Sequence, residues 1–409
     1  MTMSFDSGES LTITARFVFP IDDAPLPGGC VTIASRRIVA VEPRGARSAD
    51  VDLGNAAILP GFVNAHTHLD LTGLRGHTPP TADFVDWLRA VIGQRRQQLP
   101  GQVQQDIQLG LDECLASGAT LIGDIAGGGQ SWGILAKATC RSVVFYELLG
   151  LSKPRAHQSW AAACAWLRSV LPSPNCRPGL SPHAPYSVRA SLFKAANRLA
   201  KERDLPLAVH VAESAAELEL LAERHGPMVP FLKELGVYDP SGLVETLPGL
   251  VKSIGGYRRG LLVHGNYLQS SVNVHRGMSV VYCPRTHHAF GHPSYPLAKF
   301  LRSGVRVALG TDSLASNPDL SLFNEARFVR QHHDDVSSNE ILRMATLSGA
   351  EALGWDRETG SLTPGKAAEL AIVDLPDKDE ADPGALVLES SSSVSGVMIG
   401  GNWYKHPTA

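Results

Sequence analysis

Cysteine is scarce and scattered in this chain. Six occur in 409 residues (Cys30, Cys114, Cys140, Cys164, Cys176 and Cys283), and no two form a C-x-x-C pair. That pattern excludes a cysteine zinc site and a disulfide framework, and it suits a reducing compartment. A basic surplus is missing too: the formal net charge is −3, which favours neither nucleic acid nor an anionic membrane as a partner. No segment approaches the ~18 uninterrupted apolar residues of a membrane span. The opening MTMSFDSGES lacks the basic region and long apolar stretch of a secretory leader. Internal repeats and low-complexity tracts are likewise absent. A soluble, cytoplasmic protein is the expectation.

What is present is an ordinary globular balance, 44% hydrophobic and 19% charged, able to bury a large core. Short, almost wholly apolar runs alternate with stretches of helical period. The candidate strands are Ala57–Asn64, Ala119–Asp124, Ser142–Leu148, Pro178–His183, Pro206–His210, Leu261–His264, Ser279–Cys283 and Val305–Gly310. Continuous rather than alternating hydrophobicity is the mark of parallel strands covered on both faces. Between them, Leu192, Ala195, Ala196, Leu199 and Ala200 form one apolar helical stripe. Val103, Ile107, Leu111, Cys114 and Leu115 form another, with Gly118 placed to end it. Ser337 and Glu340 make an S-x-x-E capping box ahead of a further helix.

Eight strands alternating with helices predict an α/β fold, a closed (β/α)8 barrel of the TIM type over residues 57–356. An open doubly wound sheet is the alternative. The two ends read as short strands with Pro- and Gly-rich breaks, and neither is large enough for its own core. Residues 1–56 and 357–409 are therefore expected to pair into one small composite β-sandwich domain. Residues 239–260 fit neither pattern.

In a parallel barrel, chemistry gathers at the C-terminal strand ends. Those ends carry His66 and His68, His183, His210, His264 and, just past the eighth strand, Asp312. A lone histidine at such a place is more often a hydrogen-bonded structural residue than a ligand. All of these at one barrel end are harder to explain that way. His66 and His68 are two residues apart and share a strand face, so two imidazoles converge on the mouth. With His210 and Asp312 they make three imidazoles and a carboxylate, a donor set for zinc or ferrous iron with a position left for water. Asp312 follows the apolar run Val305–Gly310, where a carboxylate without a partner would be costly. Asp70, just beyond His68, is tempting as a ligand, but Asp312 fills that role better. From spacing alone, Glu213 is equally a first-turn acid that complements a helix dipole or a catalytic group. Trp87 is equally a pocket wall or core packing beside Phe84, Leu88 and Val91.

Taken together, LPGFVNAHTHLD, AVHVAES, LLVHGNYL, VALGTDSLASN and LTPGKAAELAIVD resemble the amidohydrolase superfamily over nearly the whole chain. The H-x-x-E of AVHVAES is similar to its metal-dependent deaminase and chlorohydrolase branch. The fourth strand end, LSPHAPYS, has His183 and no lysine, which fits one metal rather than two. The resemblance implies an aminohydrolase with one divalent ion, zinc or iron, held by His66, His68, His210 and Asp312. It implies that Asp312 takes a proton from water, His264 orients the nucleophile and Glu213 protonates a ring nitrogen as ammonia leaves. SPHAPYS and DFVDWLRAVI look like substrate-contacting segments of adenosine-type deaminases, which puts His183 and Trp87 at the substrate. VVYCPRTHHAFGHPSYPL and VVFYELLG depart from S-adenosylhomocysteine deaminases, with Tyr282 in place of a histidine and no arginine after the third strand. Arg285 and His288 would then receive an anionic or aromatic tail, as in 6-aminodeoxyfutalosine, unless that stretch is simply a solvated loop. Other readings are S-adenosylhomocysteine, methylthioadenosine or guanine deamination, a triazine-type chlorohydrolase or aminohydrolase, and an inactive barrel acting as a scaffold. A homodimer is an expectation from the exposed β domain.

Overall fold

The computed structural model describes residues 10–407, except 100, 172, 256, 258, 269–273 and 275–276. Its centre is an eight-stranded parallel sheet in sequential order. The strands are β1 (Phe62–Thr67), β2 (Ala119–Gly127), β3 (Arg141–Leu148), β4 (Cys176–Pro182), β5 (Leu207–Val211), β6 (Gly260–His264), β7 (Ser279–Tyr282) and β8 (Arg306–Leu309). A parallel bridge between Thr67 and Asp312 joins the last strand end to the first and closes the barrel. Val63, Ala65, Leu121, Ile125, Val143, Phe145, Ala208, Leu261, Val263, Val281 and Ala308 pack in its interior. Alternate residues of each strand face the opposite way, toward the helices, and so every strand reads as a continuous apolar run. The barrel predicted from that pattern is the one observed.

Two further sheets come from the chain ends. One has four strands, in the order Arg37–Glu42, Cys30–Ala34, Ser10–Thr14, Val51–Asp52. The other has six, in the order Asn402–Lys405, Ser393–Ile399, Leu370–Asp374, Ala56–Pro60, Phe17–Val18, Leu26–Pro27. Leu11, Ile13, Val31 and Ile33 of the first meet Ile58, Leu370, Ile372 and Met398 of the second in one apolar layer. The two ends thus build a sandwich that neither could form alone.

The stretch Ala57–Asn64, expected as one strand, is two strands in two sheets. Ala56–Pro60 pairs antiparallel with Leu370–Asp374, whereas Phe62 onward pairs with β2. The break is Gly61, where a Cβ would lie 2.1 Å from Thr120 Oγ1, so no larger residue fits. Both halves are fully buried, and their hydrophobicity therefore gives no sign of the division. The helix Leu247–Ile254, in the stretch that fitted neither pattern, packs beside Ala190–Arg203, with Asn197 Nδ2 donating to Ser253 O at 2.5 Å. No helix among the described residues is long and apolar enough to cross a membrane.

Candidate active site

The polar strand ends converge as strand geometry predicts, with local departures that re-aim individual residues. Between Asn64 and Thr67, β1 carries one residue more than β2 spans, a bulge that turns His66 into the mouth. His210 continues the inward row begun by Ala208. His264 would point away from the row of Leu261 and Val263, but its left-handed backbone, φ 65°, reverses the alternation. Asp312 (φ 58°) and Ala212 (φ 51°) share that conformation, which costs a non-glycine residue on the order of 1–3 kcal/mol. Each is pinned by a hydrogen bond. Tyr295 donates its hydroxyl to His264 O at 2.9 Å, and Thr67 Oγ1 donates to Asp312 O at 3.0 Å. The Ala212 amide donates to Glu217 Oε1 at 2.9 Å.

The result is a compact donor cluster. His66 Nε2 lies 3.5 Å and His68 Nε2 3.8 Å from Asp312 Oδ1, and the Nε2 atoms of His68 and His210 face each other at 3.3 Å. The donor atoms of His66, His210 and His264 lie within 4.8 Å of one another, as do those of His66, His68 and Asp312. Both ring nitrogens of His66 and Nε2 of His264 are buried without a hydrogen-bond partner among the described residues. Burial pushes His68 and His210 well below the usual histidine range, with neighbouring imidazoles adding to the effect. Burial also takes His264 to about 3. Those three imidazoles therefore favour the neutral form, with lone pairs free to ligate. His210 Nδ1 sits 3.0 Å from His183 O, which assigns its proton to that side and leaves Nε2 for the cluster. Burial raises Asp312, but the His66 contact, the His264 and His66 charges and the Ser316 hydroxyl at 2.8 Å bring it below the ordinary carboxylate value. Neutral imidazoles beside an ionised carboxylate, with buried nitrogens left unpaired, fit a divalent cation.

Glu213 stands beside the cluster with Oε1 3.4 Å from His264 Nε2. Burial, then the Asp312 and Glu217 charges, push its carboxyl well above the usual range, which favours its protonated form. Its backbone is fixed from two sides: the Glu213 amide donates to Glu217 Oε2 at 3.1 Å, and Asn266 Nδ2 donates to Glu213 O at 2.9 Å. Glu217 is fully buried and raised to about 7 by that burial. The signal for it was present: Ser214-Ala215-Ala216-Glu217 is itself an S-x-x-E motif, and Ser214 Oγ accepts the Glu217 amide at 3.2 Å.

These groups floor a cavity of about 330 Å³. Its walls are apolar (Leu71, Trp87, Val91, Leu151, Phe231 and Leu232), and the exposed Arg96 and Arg155 line its outer part. The size and the mix of apolar walls with a few polar groups are those of a small-molecule site.

The family model described as Amidohydrolase family matches residues 57–404. The chain is an amidohydrolase. A 5-methylthioadenosine/S-adenosylhomocysteine deaminase of Nitratidesulfovibrio vulgaris is 29% identical over 383 residues, covering 85% of this chain and 79% of that one. An aminodeoxyfutalosine deaminase of Deinococcus radiodurans is 30% identical over 354 residues, covering 81% and 82%. The crystal structure of an adenosine deaminase from Xanthomonas campestris, with bound zinc, superposes with a TM-score of 0.79 at 26% identity, over 97% of this chain and 92% of that one.

Not every expected residue reaches the amidohydrolase cavity. His183 does, with Nδ1 2.6 Å from Ser187 Oγ. So does Trp87, which is both wall and packing: it meets the rings of Phe84 and Phe290, and Nε1 donates to Thr78 O at 3.0 Å. Arg285 and His288 do not line the cavity, and their expected substrate contact is corrected. Arg285 Nε donates to Glu325 Oε1 at 2.7 Å, and Nη1 and Nη2 grip Asp319 at 2.8 and 2.7 Å, so its donors are spent inside the protein. His288 is exposed and lies against Phe328 and His332. Asp70 is no part of the donor cluster. It pairs with Arg95 at 2.8 Å, and burial raises it to about 6.

Proposed function

We propose that this amidohydrolase is a metal-dependent deaminase that releases ammonia from the exocyclic amine of an adenine-type nucleoside, with 6-aminodeoxyfutalosine the first substrate to test. The observation that carries the reading is the floor of the cavity, where the Glu213–His264 pair, 3.4 Å apart, adjoins His66 and His68 against Asp312, with His210 Nε2 facing His68. His66, His68, His210 and Asp312 would hold one divalent ion; the bound zinc of the Xanthomonas campestris relative favours zinc over iron. Such an ion supplies hydroxide near neutral pH by lowering the pKa of water from ~16 toward 7.

The protein's own groups account for the proton movements. Asp312 Oδ1 accepts the proton that the attacking water gives up. Neutral His264 orients the incoming oxygen through Nε2. Glu213 delivers its proton to the ring nitrogen beside the carbon under attack, which makes that carbon more electrophilic. The proton taken up by Asp312 passes to the amine, which leaves as ammonia while the adduct collapses to a carbonyl, and the hydroxyl proton released in that collapse restores the acid form of Glu213.

The apolar walls and the arginines at the outer end suit a nucleoside whose sugar carries an apolar substituent ending in an anion. That assigns to Arg96 and Arg155 the role first expected of Arg285 and His288. The activities by which the two deaminase relatives are named support the same substrate class. A triazine-type hydrolase shares such a floor but leaves the cationic outer end without a purpose. A scaffold would not keep the whole donor set. Purified protein should contain about one zinc per chain and release ammonia with the highest kcat/KM from aminodeoxyfutalosine, ahead of S-adenosylhomocysteine, methylthioadenosine, guanine and chlorotriazines. Activity confined to triazines or pyrimidines would overturn the substrate class, and absence of a transition metal would favour the scaffold.

A further inference from the structure

One carboxylate in the cavity has no part in the chemistry above. Glu147 is the penultimate residue of β3, in register with Gly127 of β2 and Ser181 of β4. Phe145 and Val143, two and four residues earlier, belong to the barrel interior, so the period of two aims Glu147 the same way, into the mouth. It lines the cavity and is half-buried. Among the described residues its carboxyl makes no ion pair and accepts no side-chain hydrogen bond; burial raises it above the usual glutamate range, with Arg95 pulling the other way and the Asp70 carboxyl also close. Arg95 is itself held by Asp70 at 2.8 Å and does not bond to Glu147. A carboxylate in an otherwise apolar cavity is costly unless something donates to it, and the open side here is the side a ligand occupies.

The nearby guanidinium decides what that donor is. Arg95, although paired with Asp70, still lowers the cost of the Glu147 charge, and neutral O–H donors on the open side would complete its hydrogen bonding. Two adjacent hydroxyls match the two oxygens of one carboxylate. We propose that Glu147 is the acceptor for the vicinal hydroxyls of a sugar and makes this a site for ribonucleosides rather than free bases. The inference deepens the nucleoside reading and rests on it for the ligand class.

Binding of an unreactive ligand tests it without the deamination step. Calorimetry on the metal-loaded protein would compare purine riboside, which has no exocyclic amine, with its 2′,3′-dideoxy analogue. The parent protein should prefer the riboside by roughly 10–100-fold, the range for hydrogen bonds to a charged group. Glu147→Gln and Glu147→Ala should bring the riboside down to the level of the dideoxy compound and leave the latter unchanged. A thermal melt checks that both variants fold, and the ratio of the two ligands within one variant is insensitive to partial unfolding. Persistence of the preference in both variants would overturn the proposal, as would equal weakening of both ligands or no binding of the riboside. A loss confined to nucleosides with an ammonium-bearing tail would also overturn it, by making Glu147 a cation site. If the preference behaves as expected but no adenine nucleoside releases ammonia, the deaminase reading fails and Glu147 keeps its role.

Discussion

Two groups of histidines lie on the same side of this barrel and differ chiefly in what their rings face. The first is His66, His68, His210 and His264 at the strand ends. The second, on and behind the segment after β7, includes His287, His288, His292, His332 and His333. Low proton affinity does not separate them: burial takes His287 and His292 to about 4, much as it takes His264 to about 3. Unpartnered ring nitrogens do not separate them either, since His287 and His292 also have one each among the described residues. What differs is the company. The second group faces phenols and aromatic rings: His292 Nδ1 is 3.1 Å from Tyr267 Oη, His333 Nε2 is 3.3 Å from Tyr282 Oη, and His288 and His332 lie on Phe328. The first group faces Asp312 and Glu213. Converging nitrogens become a site when a carboxylate joins them, because cation binding then gains both ligation and charge balance.

The comparison breaks first at His66. His66→Ala removes a proposed ligand whose ring nitrogens have no hydrogen-bond partner among the described residues, and metal content should fall together with activity. The expected loss is on the order of 10³-fold or more, above the ~10–100-fold typical of losing an outer hydrogen-bond partner. Unchanged zinc by elemental analysis would mean the first group is no more a ligand set than the second. Glu213→Gln should keep the metal and lose ~10²–10⁴-fold in kcat, the usual contribution of a positioned proton donor. It should also change the pH profile. Burial raises Glu213, so the acid form persists to higher pH than for an ordinary glutamate. Activity that needs this proton is present below the raised pKa and falls as pH rises through it. The amide variant should lack that descending limb, and a limb that survives in it belongs to another group.

The sequence shows the first group more clearly than the second because strand ends obey a period of two and the barrel brings every strand end to one place. H-x-H, His210 and the aspartate after β8 could therefore be assembled without coordinates, whereas the role of Glu213 rested on the family resemblance. The backbone departures that complete the site, the β1 bulge and the left-handed His264 and Asp312, leave no mark in an apolar run. Neither did the division at Gly61, because both strands it separates are buried. Arg285 and His288 misled for a different reason. They sit in the six-residue helix Pro284–Ala289 just past a strand end, where closeness to the mouth in sequence says nothing about direction. Glu325, on the helix Leu322–His332, takes Arg285 inward, and no spacing announces a pairing across 40 residues. Glu147 lay in plain view at the end of VVFYELLG.

The smallest effects test the second group and its neighbour. Arg285→Ala leaves the fully buried Glu325 without its guanidinium, although the Asn317 amide still reaches it at 2.6 Å. Breaking such a buried pair costs about 3–5 kcal/mol, so the melting temperature should drop while kcat and KM per folded, metal-loaded chain stay the same. His288→Ala removes an exposed ring from Phe328 and His332 and should change stability by no more than about 0.5 kcal/mol, with KM unaltered. If either residue met the tail of the substrate, KM would rise for anionic-tailed nucleosides and stay unchanged for adenosine. The same comparison on Arg155→Ala should show that selective rise, because Arg155 lines the cavity and Arg285 does not. A selective rise with Arg285→Ala and none with Arg155→Ala would return the substrate tail to the segment after β7 and make its histidines part of the site.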